Sequence, residues 1–477
     1  MLAQLGRGVK WTYLSMVIGA AIQVGVTATT ARLLEPEAFG LIAMANVMLR
    51  FGSYFAKMGV ARALVQRSTI DDRDVRAAFT SAALLGLVVT LAVVAAAPLA
   101  ASYYRTDDVV PVLRWLAATF VLSGLGATAG ALLQRGLHFR AIGAIEVASY
   151  ALGYAVPTLA LALAGYGVWS LVAGMIGQVT MAGVMSYALT RHPVRPTFER
   201  RVHRSLLGFG VKVSGISFLE FVGTTLDVLV IGRFGTAAQL GLYNRAYMLA
   251  SLPSYRIANG IAQVLFPVLS AGRSDRAEYS TTFVAISRAG IKLVVPLGVA
   301  MALAAPELVA VVLGETWLEA VPIFAILAAA LSFGVLTQFP GLALESLGVL
   351  RSKAIVQAGY VVLLATALVA AAAIAFDVRI VTAIVGVAIA GRVVAYYVLT
   401  VRAGVLTTGQ LWSLAATAVA WGSFTGAVEF GVLTSLRSMG VAPVVSLAAA
   451  IAAGGLTLAL AFRAEATAWL RRRRKVG

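Results

Sequence analysis

The chain has 477 residues, 60% of them hydrophobic and 12% charged, with a mean hydropathy of +0.90. Soluble domains carry about a quarter charged residues, so a soluble globular fold is excluded, and the absence of cysteine removes disulfides, thiolate chemistry and Cys-ligated metals. The net charge of +18 is not one basic patch but is spread over alternate loops, which points away from nucleic acid and toward the positive-inside bias of membrane proteins.

Apolar runs of about 20 residues recur along the whole sequence, the length a helix needs to cross a bilayer. In chain order they predict spans at 10–33, 41–63, 77–97, 110–133, 142–164, 168–190, 206–231, 241–266, 282–303, 320–344, 354–376, 380–401, 411–433 and 442–462. The first run is longer than a signal-peptide core and lacks a small-residue cleavage site, so it reads as a retained helix. The expected fold is therefore an all-α polytopic membrane protein with about 14 transmembrane helices.

Charge placement supports that frame independently of hydropathy. The N-terminus and the connections after even-numbered spans hold Arg7, Lys10, Arg67, Arg135, Arg191, Arg273, Arg351 and Arg402, and the tail adds Arg471 to Lys475. The opposite connections offer little beyond Arg105, Arg233, Arg379 and Arg437, with acids at Glu35, Glu37, Asp107, Asp108, Glu307 and Glu315. Both termini are expected to face the cytoplasm.

An internal repeat organises the chain. Gly6-Arg7-Gly8-Val9-Lys10 returns as Gly208-Phe209-Gly210-Val211-Lys212, and Arg32 precedes Gly40-Leu41 by the interval that separates Arg233 from Gly241-Leu242. The expected division is an N-lobe of six spans at 1–190, a basic linker at 191–205 and a C-lobe of six spans at 206–402. Two appended spans at 403–463 and a basic tail at 464–477 follow. Parallel repeats of this kind place the substrate path between lobes.

Ionisable side chains at membrane depth are costly and usually face a cavity or a partner. At about 100° per residue, Asn46, Arg50, Tyr54 and Lys57 share a stripe on span two, and Arg245, Arg256, Asn259 and Gln263 share one on span eight. Glu220, Thr224 and Asp227 do so on span seven, and Gln23, Thr27 and Thr30 on span one. A shared cavity is predicted, with Arg50, Lys57 and Arg256 on a cationic side and Glu220 and Asp227 on an acidic side. A cationic wall suits a phosphate-bearing ligand, because guanidinium forks pair with phosphate oxygens.

Plainer roles stand beside these. Arg233 and Arg245 also fit interfacial snorkelling, Lys212 an interface anchor, and Glu220 and Asp227 structural pairing or ion coupling. Lys292 and Arg392 have no assigned place, and the terminal basic run reads as an anchor to anionic lipid. There is no G-x-x-x-x-G-K-[ST] phosphate loop. The three histidines, His138, His192 and His203, all fall in connections, so no cofactor and no metal site is predicted. The longest outward connections, 97–109 and 304–319, are too short for a catalytic domain, and the chain is read as a non-enzyme.

The sequence from Ala31 to Leu41 (ARLLEPEAFGL) resembles the turn after the first span in the polysaccharide transport family of the multidrug/oligosaccharidyl-lipid/polysaccharide exporter (MOP) superfamily. Within it, the chain resembles the Wzx-type flippases for colanic-acid or xanthan-like repeat units. Glu35 stands where that turn usually has glycine. The resemblance continues in Gly59 to Arg67 (GVARALVQR), Leu226 to Phe234 (LDVLVIGRF), Gly241 to Tyr247 (GLYNRAY) and Val264 to Pro267 (VLFP). Beyond span eight it rests on hydropathy and spacing.

The resemblance implies a MATE-like two-lobed alternating-access fold with its cavity between spans one, two, seven and eight. It implies a bacterial inner-membrane location and undecaprenyl diphosphate carrying an oligosaccharide as substrate. It also implies a proton or sodium ion as coupling ion, membrane lipids at the surface, and polymerase or export machinery as partners. Spans thirteen and fourteen resemble those that form a lipid-tail groove in relatives. The rival readings are a drug/cation antiporter, a peptidoglycan-precursor flippase and, from another class, a membrane repeat-unit polymerase.

Overall fold

The computed structural model describes residues 2–56, 64–65, 67, 69–197, 222–271 and 275–476. Among these residues there is no strand, as hydrocarbon demands: a backbone without water must bond to itself, and the helix does this within one segment. The chain divides into two compact units, Met1–Gly241 and Leu242–Gly477.

The first unit contains α1 (Leu2–Leu33), α2 (Pro36–Ala56), α3 (Asp72–Tyr104), α4 (Val109–Arg135), α5 (Phe139–Leu163), α6 (Val168–Thr190) and α7 (Leu226–Phe234). α3 begins at a capping box, in which the Asp71 carboxylate accepts from Asp74 N at 2.8 Å and the Asp74 carboxylate accepts from Asp71 N at 3.3 Å. It runs on past its apolar stretch to Tyr104 and stops at left-handed Arg105, so the connection to α4 is much shorter than the sequence suggested. α5 is widened by a π-helical turn over Ser149–Ala155 just before Pro157, which lacks the N–H that a regular helix would use there.

Helices in this unit meet backbone to backbone. A Cβ on Gly86 of α3 would lie 2.5 Å from the Phe120 carbonyl oxygen of α4, and one on Gly124 of α4 would lie 2.4 Å from the Ala82 oxygen of α3. The two glycines of the sequence repeat show the same reciprocity. A Cβ on Gly40 would lie 1.8 Å from the Ala237 oxygen, and one on Gly241 would lie 1.8 Å from the Pro36 oxygen. Each glycine therefore faces the carbonyl of the residue four positions before the other, at the first turn of α2 and of α8 (Ala237–Ala271). All four residues belong to the first unit, whose border with the second falls inside α8.

The second unit contains the rest of α8, then α9 (Arg276–Leu303), α10 (Ala305–Val312), α11 (Glu315–Ser346), α12 (Leu350–Ile374), α13 (Val378–Arg402), α14 (Thr408–Ser438) and α15 (Pro443–Val476). α9 is its central element, packed by α11, α14 and α15. Phe283 of α9, Phe339 of α11 and Tyr397 of α13 share one buried cluster, and Tyr279 Oη donates to the Ala343 carbonyl at 3.1 Å. Asp275, Asp377 and Thr407 cap the starts of α9, α13 and α14. Large apolar side chains such as Ile374 and Trp412 are exposed, the surface a bilayer would cover.

Ten helices among the described residues are long and apolar enough to cross a membrane: α3 to α6, α9, α11 to α14, and the Pro443–Leu460 part of α15. They coincide one for one with predicted spans three to six and nine to fourteen. Predicted spans one, two and eight are also helical, as α1, α2 and α8. The start of span seven lies outside the described residues and its end is α7.

One charge pair ties the first turn of α10 to the last turn of α14. Arg437 Nε donates to Glu307 Oε1 at 2.7 Å and Nη2 to Oε2 at 2.8 Å, and Nη2 also donates to the Leu303 carbonyl at 2.9 Å. Burial pushes the Glu307 carboxyl up, but the Arg437 hydrogen bonds, a backbone hydrogen bond and the guanidinium charge together hold it below the ordinary carboxylate value. The folded value is depressed, so the pair's stabilisation is present at neutral pH. It is lost as the pH falls below the ordinary value of 4.5 and through the folded one.

Two outcomes follow from this packing. Gly40→Val or Gly241→Val should cost roughly 3 kcal/mol or more through backbone collision, read as loss of monodisperse protein in detergent or a lower Tm, whereas Gly19→Ala, with open space around it, should be near neutral. Equal tolerance at the three positions would contradict the close approach. Glu307→Gln should lower Tm at pH 7 and flatten the Tm dependence between pH 5 and 3; an unchanged acid slope would show that the pair contributes nothing.

Candidate functional site

The polar residues singled out by the sequence fall into three groups. In the first unit, Asn46 and Arg50 lie one turn apart on α2, Asn46 half-buried and Arg50 exposed. The Arg50 carbonyl accepts from Ser53 Oγ at 2.7 Å, and the helix continues to Ala56. Asp227 sits in the first turn of α7, 7% exposed, with its Oδ1 accepting from Val228 N at 2.9 Å. A carboxylate there is favoured by the positive end of the helix dipole. α7 packs against α2 and α3.

Arg233, at the other end of α7, has a structural assignment. Its Nη1 donates to the carbonyls of Ser102 at 3.2 Å and Tyr103 at 2.7 Å, and its guanidinium lies 5.6 Å from the centre of the Tyr103 ring. It thus closes the C-terminal end of α3, where a cation is favoured. On α1, Thr27 and Thr30 are buried and the Thr30 hydroxyl donates to the Val26 carbonyl at 2.7 Å. The Thr30 hydroxyl is thus bound to its own helix rather than offered to a ligand.

In the second unit, Arg245 is 8% exposed and its Nη1 meets Met248 Sδ at 3.2 Å. Burial at this level places Arg245 inside the protein rather than snorkelling at an interface. Arg256, Asn259 and Gln263 fall within α8, but their side chains lie outside the described residues, as do Lys57, Lys212 and Glu220 altogether.

The two unplaced cations of the sequence now have neighbours, both aromatic. Lys292 Nζ lies 5.8 Å from the centre of the Trp421 ring, and the Arg392 guanidinium 4.6 Å from that of Tyr360. One residue escaped the sequence reading. Glu429 of α14 is fully buried and neither carboxylate oxygen has a hydrogen bond among the described residues. It is the only acidic residue in predicted spans thirteen and fourteen, and that isolation was the available signal. No group of three or more His, Asp or Glu residues suited to a metal occurs among the described residues.

Residues 30–322, more than half of the chain, match the polysaccharide biosynthesis protein family. Among curated proteins, the chain is 26% identical over 330 residues to the teichuronic acid biosynthesis protein TuaB of Bacillus subtilis, covering 68% of each. It is 28% identical over 334 residues to the succinoglycan biosynthesis transport protein ExoT of Rhizobium meliloti, covering 69% of this chain and 66% of the relative. It is 26% identical over 328 residues to the lipopolysaccharide biosynthesis protein WzxC of Escherichia coli, covering 67% and 65%. The chain thus spans about two thirds of the length of the curated relatives it matches.

Among solved structures, the fold resembles lipid II flippase MurJ in an inward closed conformation, with a TM-score of 0.74 at 10% identity, covering 95% of this chain and 97% of that one. It also resembles an inward-facing multidrug resistance MATE family transporter of the MOP superfamily, with a TM-score of 0.57 at 14% identity, covering 85% and 98%. At these identities the likeness concerns the fold alone. A multi-pass helical membrane protein with that fold and that family match is a member of the polysaccharide biosynthesis protein family.

Proposed function

We propose that this protein is a flippase of the bacterial cytoplasmic membrane, moving a lipid-linked oligosaccharide repeat unit from the inner to the outer leaflet for assembly of a surface polysaccharide. The observation that carries the reading is the family match over residues 30–322, joined to a fold seen in a lipid II flippase and in a multidrug resistance transporter. Relatives named for polysaccharide biosynthesis and transport support the class of cargo. On this reading the chain is a transporter and not an enzyme.

The chemistry of such a cargo has one constant part. Its sugars vary, but the diphosphate joining them to an undecaprenyl chain carries fixed negative charge. Arg50, Lys57 and Arg256 are the residues proposed to meet it, with Asn46, Asn259, Gln263 and Arg245 providing hydrogen bonds to head-group oxygens. Arg suits this task because its planar fork binds two oxygens at once and stays charged at any physiological pH. Asp227 and Glu220 are proposed to bind the proton or sodium ion that drives the cycle. The two six-span lobes, 1–190 and 206–402, would rock about the linker at 191–205, with both termini cytoplasmic. The polymerase and export machinery would take the cargo on.

The decisive experiment deletes the gene and fractionates lipid-linked saccharides by membrane leaflet. Single repeat units held on the cytoplasmic side, with surface polymer lost, are the expected result. Units that reach the outer leaflet unpolymerised would overturn the reading in favour of a polymerase.

In proteoliposomes, Arg50→Gln and Arg256→Gln should each reduce translocation of the lipid-linked saccharide about tenfold, as expected for loss of a charge-assisted hydrogen bond. Asp227→Asn should abolish acceleration by an imposed proton or sodium gradient while sparing downhill exchange. Wild-type rates in the arginine variants would remove the cationic-path assignment, and retained acceleration in Asp227→Asn would remove the coupling role.

A further inference from the structure

α12 and α13 enclose a groove of about 750 Å³ that belongs wholly to the second unit. It runs from Val356 and Ala395 at one end to Ala367 and Ile380 at the other, along helices that are adjacent in sequence and packed on each other. At a rise of about 1.5 Å per residue, the fifteen steps from Ile380 to Ala395 make it roughly 22 Å long. Its wall is aliphatic except for Tyr360 and one charged residue. Arg392 stands in it, stacked on Tyr360 near the Ala395 end.

Arg392 is the anomaly that needs a ligand. It has no carboxylate partner among the described residues, and its buried Nε has no hydrogen bond. It lies ten residues from Arg402 and fourteen from Val378, the two ends of α13, so about 15 Å and 21 Å along the helix. In a hydrocarbon layer about 30 Å thick, that is close to the midplane. An unneutralised cation at this depth is expensive, and such residues mark ion or substrate paths. The ring face of Tyr360 offsets part of that cost but supplies no negative charge.

The two halves of the site select one kind of occupant. A long groove lined almost wholly by aliphatic side chains takes an apolar chain, and the guanidinium takes a phosphate. Depth then separates the two phosphate lipids on offer. A resident phospholipid keeps its phosphate at the interface, about half the bilayer thickness away from Arg392, whereas a lipid being carried between leaflets must bring its phosphate past the midplane. We propose that the α12–α13 groove binds the apolar chain of the translocated lipid while Arg392 holds its phosphate at mid-membrane. This rests on the flippase reading and adds to it a site outside the proposed Arg50–Lys57–Arg256 path.

The test uses the full-length protein in phosphatidylethanolamine/phosphatidylglycerol vesicles with a photoreactive polyprenyl diphosphate bearing its diazirine on the chain. Saturable labelling of peptides covering 356–367 and 380–395 is expected, competed by unlabelled polyprenyl diphosphate but not by added phosphatidylglycerol. Arg392→Gln should cut that labelling about tenfold and Arg392→Lys less. Val387→Trp, which keeps the charge and fills the groove, should also cut it, with each variant matched to wild type in Tm and monodispersity. Labelling insensitive to all three variants, or competed equally by phosphatidylglycerol, would overturn the assignment. Saturable labelling confined to other helices would overturn the groove while leaving the flippase reading intact. No saturable labelling anywhere would remove both.

Discussion

Helices surrounded by hydrocarbon are not pressed together by the hydrophobic effect, because lipid tails are as apolar as leucine; they associate where their backbones can approach. In this protein that constraint is met by reciprocal glycine contacts. Gly86 and Gly124 set the α3–α4 approach, and Gly40 and Gly241 set that of α2 and the start of α8. In each pair a single added methyl group would meet a carbonyl oxygen well inside contact distance. The second pair joins the two Gly-Leu steps that recur in the sequence, Gly40-Leu41 and Gly241-Leu242, and lies within the first unit.

Once the helices are fixed in this way, polar side chains within the helices and at their ends have limited options. Some are absorbed locally, as Thr30 is by the Val26 carbonyl. Arg233 is spent on the end of α3, and Arg437 on Glu307. Arg392 finds the aromatic face of Tyr360 and, among the described residues, no carboxylate. An aromatic ring partly shields a cation but leaves its charge in place, so such a residue can still receive an anion. That distinction separates residues that hold the fold from residues available to a charged lipid. It draws attention to α13, which hydropathy alone presents as an ordinary apolar span.

Glu429 shows the same logic with the opposite charge. It is buried among α9, α14 and α15, where a Cβ on Gly454 would lie 3.1 Å from its Oε1, and it has no hydrogen bond among the described residues.

The sequence by itself determined the membrane class and the positions of the ten spans found among the described residues, because a bilayer imposes length and hydropathy on each helix separately. It also exposed the glycine repeat, and the ARLLEPEAFGL and LDVLVIGRF motifs carried the family. Partnership was not legible, since it depends on which helix faces which. Arg233 read as a snorkelling residue until α3 was seen to end beside it. Arg437 and Glu307, 130 residues apart, read as separate interface charges. Arg392 became meaningful only when α12 supplied Tyr360 and the second wall of a groove. A helix's apolar character is local to its sequence, whereas the neutralisation of a charge is a property of the space between helices, and only tertiary packing defines that space.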